Sequence, residues 1–241
     1  MNRTARYAPV APALGEPMGR FELPVDPGTP LLWALDAVRH GDTAERLAAA
    51  VLDAEEKRRA AAFRREADRR CYLTAHVGLR VLLGSCLGVG PAEVPLRREP
   101  CVSCGGPHGR PVTGDGRIHF SLSHSGDLAL LACATVPVGV DIEAVPRPEH
   151  AREISGVLHP TEIAELAALP EAERPAGFAR AWSRKEAYLK GIGTGLARSP
   201  SLDHLGTGPK PVSHPVGWTI HDVDAPPGFA AAVAVRHGGG S

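Results

Sequence analysis

The stretch from Ile118 to Glu143 restricts the fold more than any other part of this chain. Two apolar runs, Ile118 to Ser123 and Leu128 to Ala134, are separated only by His124-Ser125-Gly126-Asp127. Four residues are too few for the crossover that parallel strands need, so the two runs must pair antiparallel. A third strand follows at once in Pro137-Val138-Gly139-Val140-Asp141-Ile142-Glu143, and Pro146 and Pro148 close it. Upstream, Leu31 to Leu35 reads as a strand and Thr43 to Ala50 as a short helix behind Asp42 as N-cap. From Asp53, a second candidate cap, to Leu87 the chain reads as one helix. Ala60, Phe63, Ala67, Tyr72, Ala75, Leu79 and Leu83 trace its apolar stripe, and Gly88 and Gly90 stop it. Downstream, residues 160–169 and about 175–190 read as helices, the first with Pro160 in its first turn; Trp218 to Val223 and Phe229 to Val235 read as strands. Residues 1–20 lack periodicity and are expected to form an extended or disordered lead-in. Strands and helices interleaved in this way give an α+β class, with α/β as the alternative.

Composition excludes several classes of function. The 241 residues are 43% hydrophobic and 22% charged with a formal net charge of zero. That is a soluble globular balance, and it argues against bulk electrostatic binding to nucleic acid or membrane. The charge is uneven, with 17 basic against 14 acidic side chains in residues 1–120 and 10 against 13 beyond. Most of the basic excess lies between Lys57 and Arg70, where an anion site is expected. No apolar run approaches the ~20 residues of a membrane span, and no secretory signal core is present, so a cytoplasmic location is expected. Five cysteines fit reduced thiols. Cys101-x-x-Cys104 with His108 looks like half of a zinc ribbon, but tetrahedral zinc needs four ligands and no second C-x-x-C exists. A zinc-ribbon module gripping nucleic acid through the arginine helix is the rival reading; it leaves the acidic residues unexplained.

Those acidic residues carry the chemistry. Asp141 and Glu143 stand two apart on a strand and share a face, interrupting an otherwise apolar run where uncompensated charge is costly. In Trp182-Ser183-Arg184-Lys185-Glu186-Ala187-Tyr188-Leu189-Lys190, Glu186 and Lys190 share one helix face. Three carboxylates suit a hard divalent cation such as magnesium, whose shell substrate phosphates commonly complete. Ser123 and His124, at the expected hairpin turn, present a hydroxyl and an imidazole to an anion. No G-x-S-x-G elbow accompanies them, so anion binding is a better use than nucleophilic catalysis.

Phe120 to Ser125, Val138 to Glu143 and Trp182 to Lys190, in that order and preceded by Gly109-Arg110-Pro111, resemble the signature motifs of the phosphopantetheinyl transferases, specifically the larger surfactin-synthetase-activating type. The resemblance covers about residues 50–196. It implies a monomer of two pseudo-symmetric α+β halves, residues 21–115 and 116–236, with coenzyme A in the cleft between them. It implies that Asp141, Glu143 and Glu186 hold magnesium and that Ser123 and His124 contact the coenzyme's phosphates. Arg110, followed by Pro111, would meet the nucleotide end near the 3′-phosphate, with Arg59 and Arg69 as further partners. Lys190 would neutralise charge on the transferring phosphate and Glu186 would act as base. The partners implied are coenzyme A and apo carrier-protein domains of peptide, polyketide or fatty-acid synthases.

Overall fold

The computed structural model describes residues 7–237, apart from Pro17, Val25, Pro27, Cys101, Ser103, Cys104, Pro107, His108 and Asp115. The half zinc ribbon of Cys101, Cys104 and His108 therefore lies outside the described residues. Strand β1 (Leu31–Asp36) leads into α1 (Ala37–Val51), α2 (Ala54–Ala61) and the long α3 (Glu66–Leu87). A small ladder of β2 (Leu96–Arg98) and β3 (Pro111–Thr113) precedes the hairpin of β4 (His119–Ser125) and β5 (Leu128–Ala134). Then come β6 (Val138–Ala144), α4 (Pro148–Ile154), α5 (Pro160–Ala168), α6 (Arg174–Gly191) and a second hairpin, β7 (Trp218–Val223) and β8 (Phe229–Arg236). No described helix is long and apolar enough to cross a membrane.

Two three-stranded antiparallel sheets result, ordered β1-β5-β4 and β6-β8-β7. Each runs strand, helices, hairpin, and in each the hairpin's second strand pairs with the first strand. Side-chain parity then sets the layers, because alternate residues of a strand face opposite ways. On β5, Ala129, Leu131 and Cys133 pack with Leu79, Leu82 and Leu83 of α3. Its other residues, Leu130, Ala132 and Ala134, meet Val138, Val140 and Ile142 of β6 and Val233 of β8. On the far face of the second sheet, Ala232, Ala234 and Ile220 pack with Ala187 and Leu189 of α6. The order is α3, first sheet, second sheet, α6.

Several expectations shift. Helix α1 starts at Ala37, six residues before Thr43, because the Asp36 side chain accepts from the Val38 amide at 2.8 Å. Gly41, which argues against a helix there, lies where the Arg70 side chain crosses and leaves no room for a Cβ. The single helix expected from Asp53 to Leu87 breaks at residues 62–65, which lets Phe63 pack on Tyr72 with ring centroids 5.2 Å apart. The cap at Asp53 is present as a full capping box with Glu56. Gly88 closes α3 in the left-handed region at φ +72°. Within the lead-in, Tyr7 bridges to Val223 on β7 and Val10 to Trp33 on β1, so one strap touches both sheets. The hairpin β4–β5 pairs with β1, so the chain passes from one sheet to the other at residues 135–137, whereas the expected halves divide at 115/116. A strand cannot leave the sheet that supplies its hydrogen bonds, and the expected boundary separated β1 from its partner.

Candidate active site

The two sheets meet along the edges of β4 and β6, and serines make the seam. Ser121, Ser123 and Ser125 alternate along β4 and all turn toward β6. The Ser121 hydroxyl accepts from the Val140 amide at 3.0 Å, the Ser125 hydroxyl accepts from the Ala144 amide at 3.0 Å, and Ser123 donates to Asp141 Oδ1 at 2.7 Å. Ser125 also reaches Glu143 Oε2 at 3.3 Å.

Strand β6 presents its acidic face to α6. Since Val138, Val140 and Ile142 fill the core between the sheets, Gly139, Asp141 and Glu143 point the other way. Gly139 lets the helix come close: a Cβ there would lie 2.0 Å from the Ala187 carbonyl oxygen and 2.4 Å from the Gly191 nitrogen. At that separation Lys190 spans the gap, donating to Asp141 Oδ1 at 2.6 Å and to Ser123 Oγ at 2.9 Å. Lys190 thus serves β6 rather than making the plain Glu186–Lys190 helix pair that the spacing suggests.

Asp141 is 1% exposed, and its second oxygen, Oδ2, is buried without a hydrogen-bond partner. Burial raises its pKa, opposed by Lys190, Ser123 and the Ile142 amide. Desolvation and then the Asp141 charge push Glu143 up to about 7, with Glu186 adding a smaller repulsion. Glu186 is raised by the same two causes, desolvation first and Asp141 second. The three carboxylates expected to act together therefore feel one another's charge, Asp141 and Glu143 from β6 and Glu186 from α6. Among the described residues, however, no group of three or more His, Cys, Asp or Glu side chains is already gathered closely enough to hold a metal ion. What the face offers a cation is chemistry: all-oxygen donors, mutual repulsion that a positive charge relieves, and an orphaned buried oxygen.

Basic groups border this acidic face. His124 lies within β4, not in the turn, which narrows to Gly126 and Asp127 with Gly126 at φ +57°. Parity sends it to the opposite face from Ser123, toward α3. Desolvation lowers its pKa, followed by His76, Lys190 and Arg59, so basic side chains lie near it. His76 stacks on Tyr72 at 4.0 Å and contacts Glu56 at 3.1 Å. Sequence reasoning missed it, because a lone histidine inside a helix carries no signal until the fold places it beside His124. Arg110, next to Pro111 at the start of β3, donates to Glu99 at 3.0 Å and to the Gly191 carbonyl at the end of α6 at 3.2 Å. Arg69 turns elsewhere, donating to Glu66 at 3.0 Å and to Glu45. Of the sequence-chosen residues, Asp141, Lys190 and Ser123 are hydrogen-bonded together, Glu143 and Glu186 feel the Asp141 charge, Lys190 and Arg59 act on His124, and Arg69 is held in ion pairs with acidic neighbours.

The residues from β6 through α6 match a family model, the 4'-phosphopantetheinyl transferase superfamily, over 137–216. The 4'-phosphopantetheinyl transferase HetI of Nostoc sp. is 32% identical over 195 residues, covering 78% of this chain and 79% of HetI. A 4'-phosphopantetheinyl transferase of Bacillus subtilis is 27% identical over 154 residues, 64% of this chain and 65% of that protein. AcpT of Salmonella typhimurium is 40% identical over 131 residues, 52% of this chain and 61% of AcpT. With that coverage of HetI, and with the family pattern lying on the strand and helix that bring Asp141 and Lys190 together, this chain belongs to the 4'-phosphopantetheinyl transferase superfamily.

Proposed function

We propose that this protein moves the phosphopantetheine arm of coenzyme A onto a serine hydroxyl of an apo carrier protein, with magnesium held by Asp141, Glu143 and Glu186. One observation supports it above the rest: Lys190 bonds only one oxygen of Asp141, leaving a buried acidic face without enough positive charge, with basic side chains near His124 beside it. A magnesium ion bound to a polyphosphate satisfies both sides at once.

The serine oxygen attacks the pantetheine-side phosphorus, the bond from that phosphorus to the bridging oxygen breaks, and adenosine 3',5'-bisphosphate leaves. Magnesium, when bound, supplies charge stabilisation for the phosphate oxygens. Lys190 adds a fixed ammonium held by Asp141 and Ser123, so little reorganisation is needed as charge develops. Glu186 takes the serine proton, the role open to a carboxylate beside the attacking hydroxyl. Ser123, His124, Arg59 and Arg110 orient the coenzyme's phosphates, and Arg69 joins them only after releasing Glu45 and Glu66. Approximate symmetry accounts for the matching connectivity of the two sheets, with halves at about 31–134 and 138–236 and the cleft at their seam. The protein acts as a cytoplasmic monomer, and its carriers are those of peptide, polyketide or fatty-acid synthases.

The test is to mix the protein with magnesium, coenzyme A and an apo carrier and to weigh the carrier. A gain of one phosphopantetheine is expected, with none when the metal is chelated. A carrier left unmodified here, yet modified by another transferase, refutes the reading. Glu186→Gln should lower transfer by about 10²-fold or more with the fold intact, the scale at which general-base groups contribute. Near-normal activity removes Glu186 from both of its roles.

A further inference from the structure

The back of α6 carries a buried ion pair that the transfer chemistry leaves unused. Lys185, beside Glu186 in the chain, is 1% exposed, and Glu162 of α5 is fully buried. Lys185 Nζ lies 2.7 Å from Glu162 Oε2 and donates to the Pro200 carbonyl at 2.8 Å and to the Asp203 carbonyl. An ammonium has three protons to give, so none is left for a substrate phosphate. Glu162 is equally committed, accepting from the amides of Leu205 at 2.8 Å, Gly206 at 3.0 Å and His159 at 3.0 Å. Arg184 extends the network, donating to the Gly206 and Gly208 carbonyls and pairing with Asp222 of β7 at 2.7 Å.

We propose that Lys185 and Glu162 form a latch that pins residues 200–206 against the back of α6 and thereby positions Glu186 and Lys190 over β6. What those two residues do rests on the transfer reading; the latch itself does not. Burying two charges costs several kcal/mol per ion, and a hydrophobic pair of similar volume is often as stable. What the ionic version adds is a single geometry, because every proton and lone pair has a fixed partner. Neighbouring helix positions point about 100° apart, so anchoring Lys185 on one side fixes the direction of Glu186 on the other. Displacement of a catalytic group by about 1 Å can lower a rate 10²-fold. Lys185 and Glu162 are therefore positioning residues, acting through α6.

The experiment compares the full-length protein with Lys185→Met, Glu162→Gln and the double variant. Coenzyme A turnover and backbone amide exchange at Leu205 and Gly206 are both measured. In Lys185→Met, kcat is expected to fall about 10- to 100-fold with KM for coenzyme A within about threefold, the split expected when orientation is lost and ground-state binding is kept. The two amides are expected to exchange at least about tenfold faster, and the double variant to be little worse than either single one, as for residues acting as one unit. Full kcat with faster exchange overturns the positioning role. A raised KM with unchanged exchange means that Lys185 meets substrate, and the latch is wrong. If the unmodified protein transfers nothing, the transfer reading fails, and unchanged amide protection in Lys185→Met still overturns the latch. Should Lys185→Met not fold, Glu162→Gln, which keeps the side-chain shape, is judged by the same readouts.

Discussion

At the scale of single residues, the active face depends on an absence. Gly139 has no side chain, and the Ala187 carbonyl and Gly191 nitrogen occupy the space where one would stand. Both obstacles are backbone, which cannot swing aside as a flexible side chain does. Gly139→Ala must push α6 off β6 by more than an ångström, and overpacking of this kind typically costs about 1–3 kcal/mol, sometimes more. The displaced helix also carries Lys190 away from Asp141 and Ser123. Thermal unfolding should show the stability loss, and transfer activity in the cold, where the variant is still folded, should fall at least about tenfold. Wild-type activity there would mean that the close approach is not what sets Lys190. The sequence already held the alternation that puts Gly139, Asp141 and Glu143 on one face, and the four-residue spacing of Glu186 and Lys190. It did not say that Lys190 would cross to Asp141, since a helix pair with Glu186 satisfies the same spacing. Nor did it give Lys185 a role, because burial on the far side of α6 depends on a loop fifteen residues away.

Between elements, polar groups do work that hydrophobic periodicity cannot report. The break between α2 and α3 folds α2 back so that Glu56, in its first turn, meets Arg80 at 2.6 Å and His76 at 3.1 Å, while Asp53 meets Arg80 at 2.7 Å. Read along the chain, the same stretch is one continuous amphipathic helix. Its break is visible only once Arg80, 3% exposed, is seen to need acidic partners. Burial alone would raise the pKa of Glu56, but hydrogen bonds from His76, the Asp53 amide and Arg80, with the Arg80 charge, outweigh it and hold the group below the usual carboxylate value. A depressed carboxylate stabilises the fold at pH values above its unfolded pKa, and that contribution is lost as pH falls through the folded pKa. Glu56→Gln should therefore cost about 2–4 kcal/mol near neutrality, the range for breaking one partner of a buried pair that keeps a second contact. The gap from wild type should close in acid, as pH falls below the unfolded carboxylate value and through the lower folded one. Denaturant titrations at two pH values check this, and a pH-independent difference would show that packing, not charge, is lost.

For the whole molecule, the question is what holds two separately built sheets in register across the cleft. Apolar contact between their inner faces is substantial but non-directional, and it tolerates sliding. Directional bonds lie at the margins. The strap bonds Val10 to both Leu32 and Ala34 on β1, and Tyr7 to Asp224 beyond β7. At the other edge, hydroxyls of β4 take amides of β6, a join no strand-pairing signal encodes because it uses side chains in place of a ladder. Ser123 and His124 read in the sequence as an anion-binding turn, whereas Ser121 bonds the seam, Ser125 bonds the seam and reaches Glu143, and Ser123 bonds Asp141 and Lys190. Their unequal burial makes the seam testable. The Val140 amide that Ser121 receives is buried, so Ser121→Ala leaves it without a partner and should cost about 1–3 kcal/mol. Ala144, which donates to Ser125, is exposed and water can replace the hydroxyl, so Ser125→Ala should cost under about 1 kcal/mol. If register across the seam is what aligns the acidic face with the basic one, Ser121→Ala should also weaken coenzyme A binding although Ser121 never touches the charged groups. Chemical denaturation and calorimetric titration of the two variants measure both effects. Negligible stability losses in both variants would show that the seam is held by the apolar layer alone, with the serines as passengers.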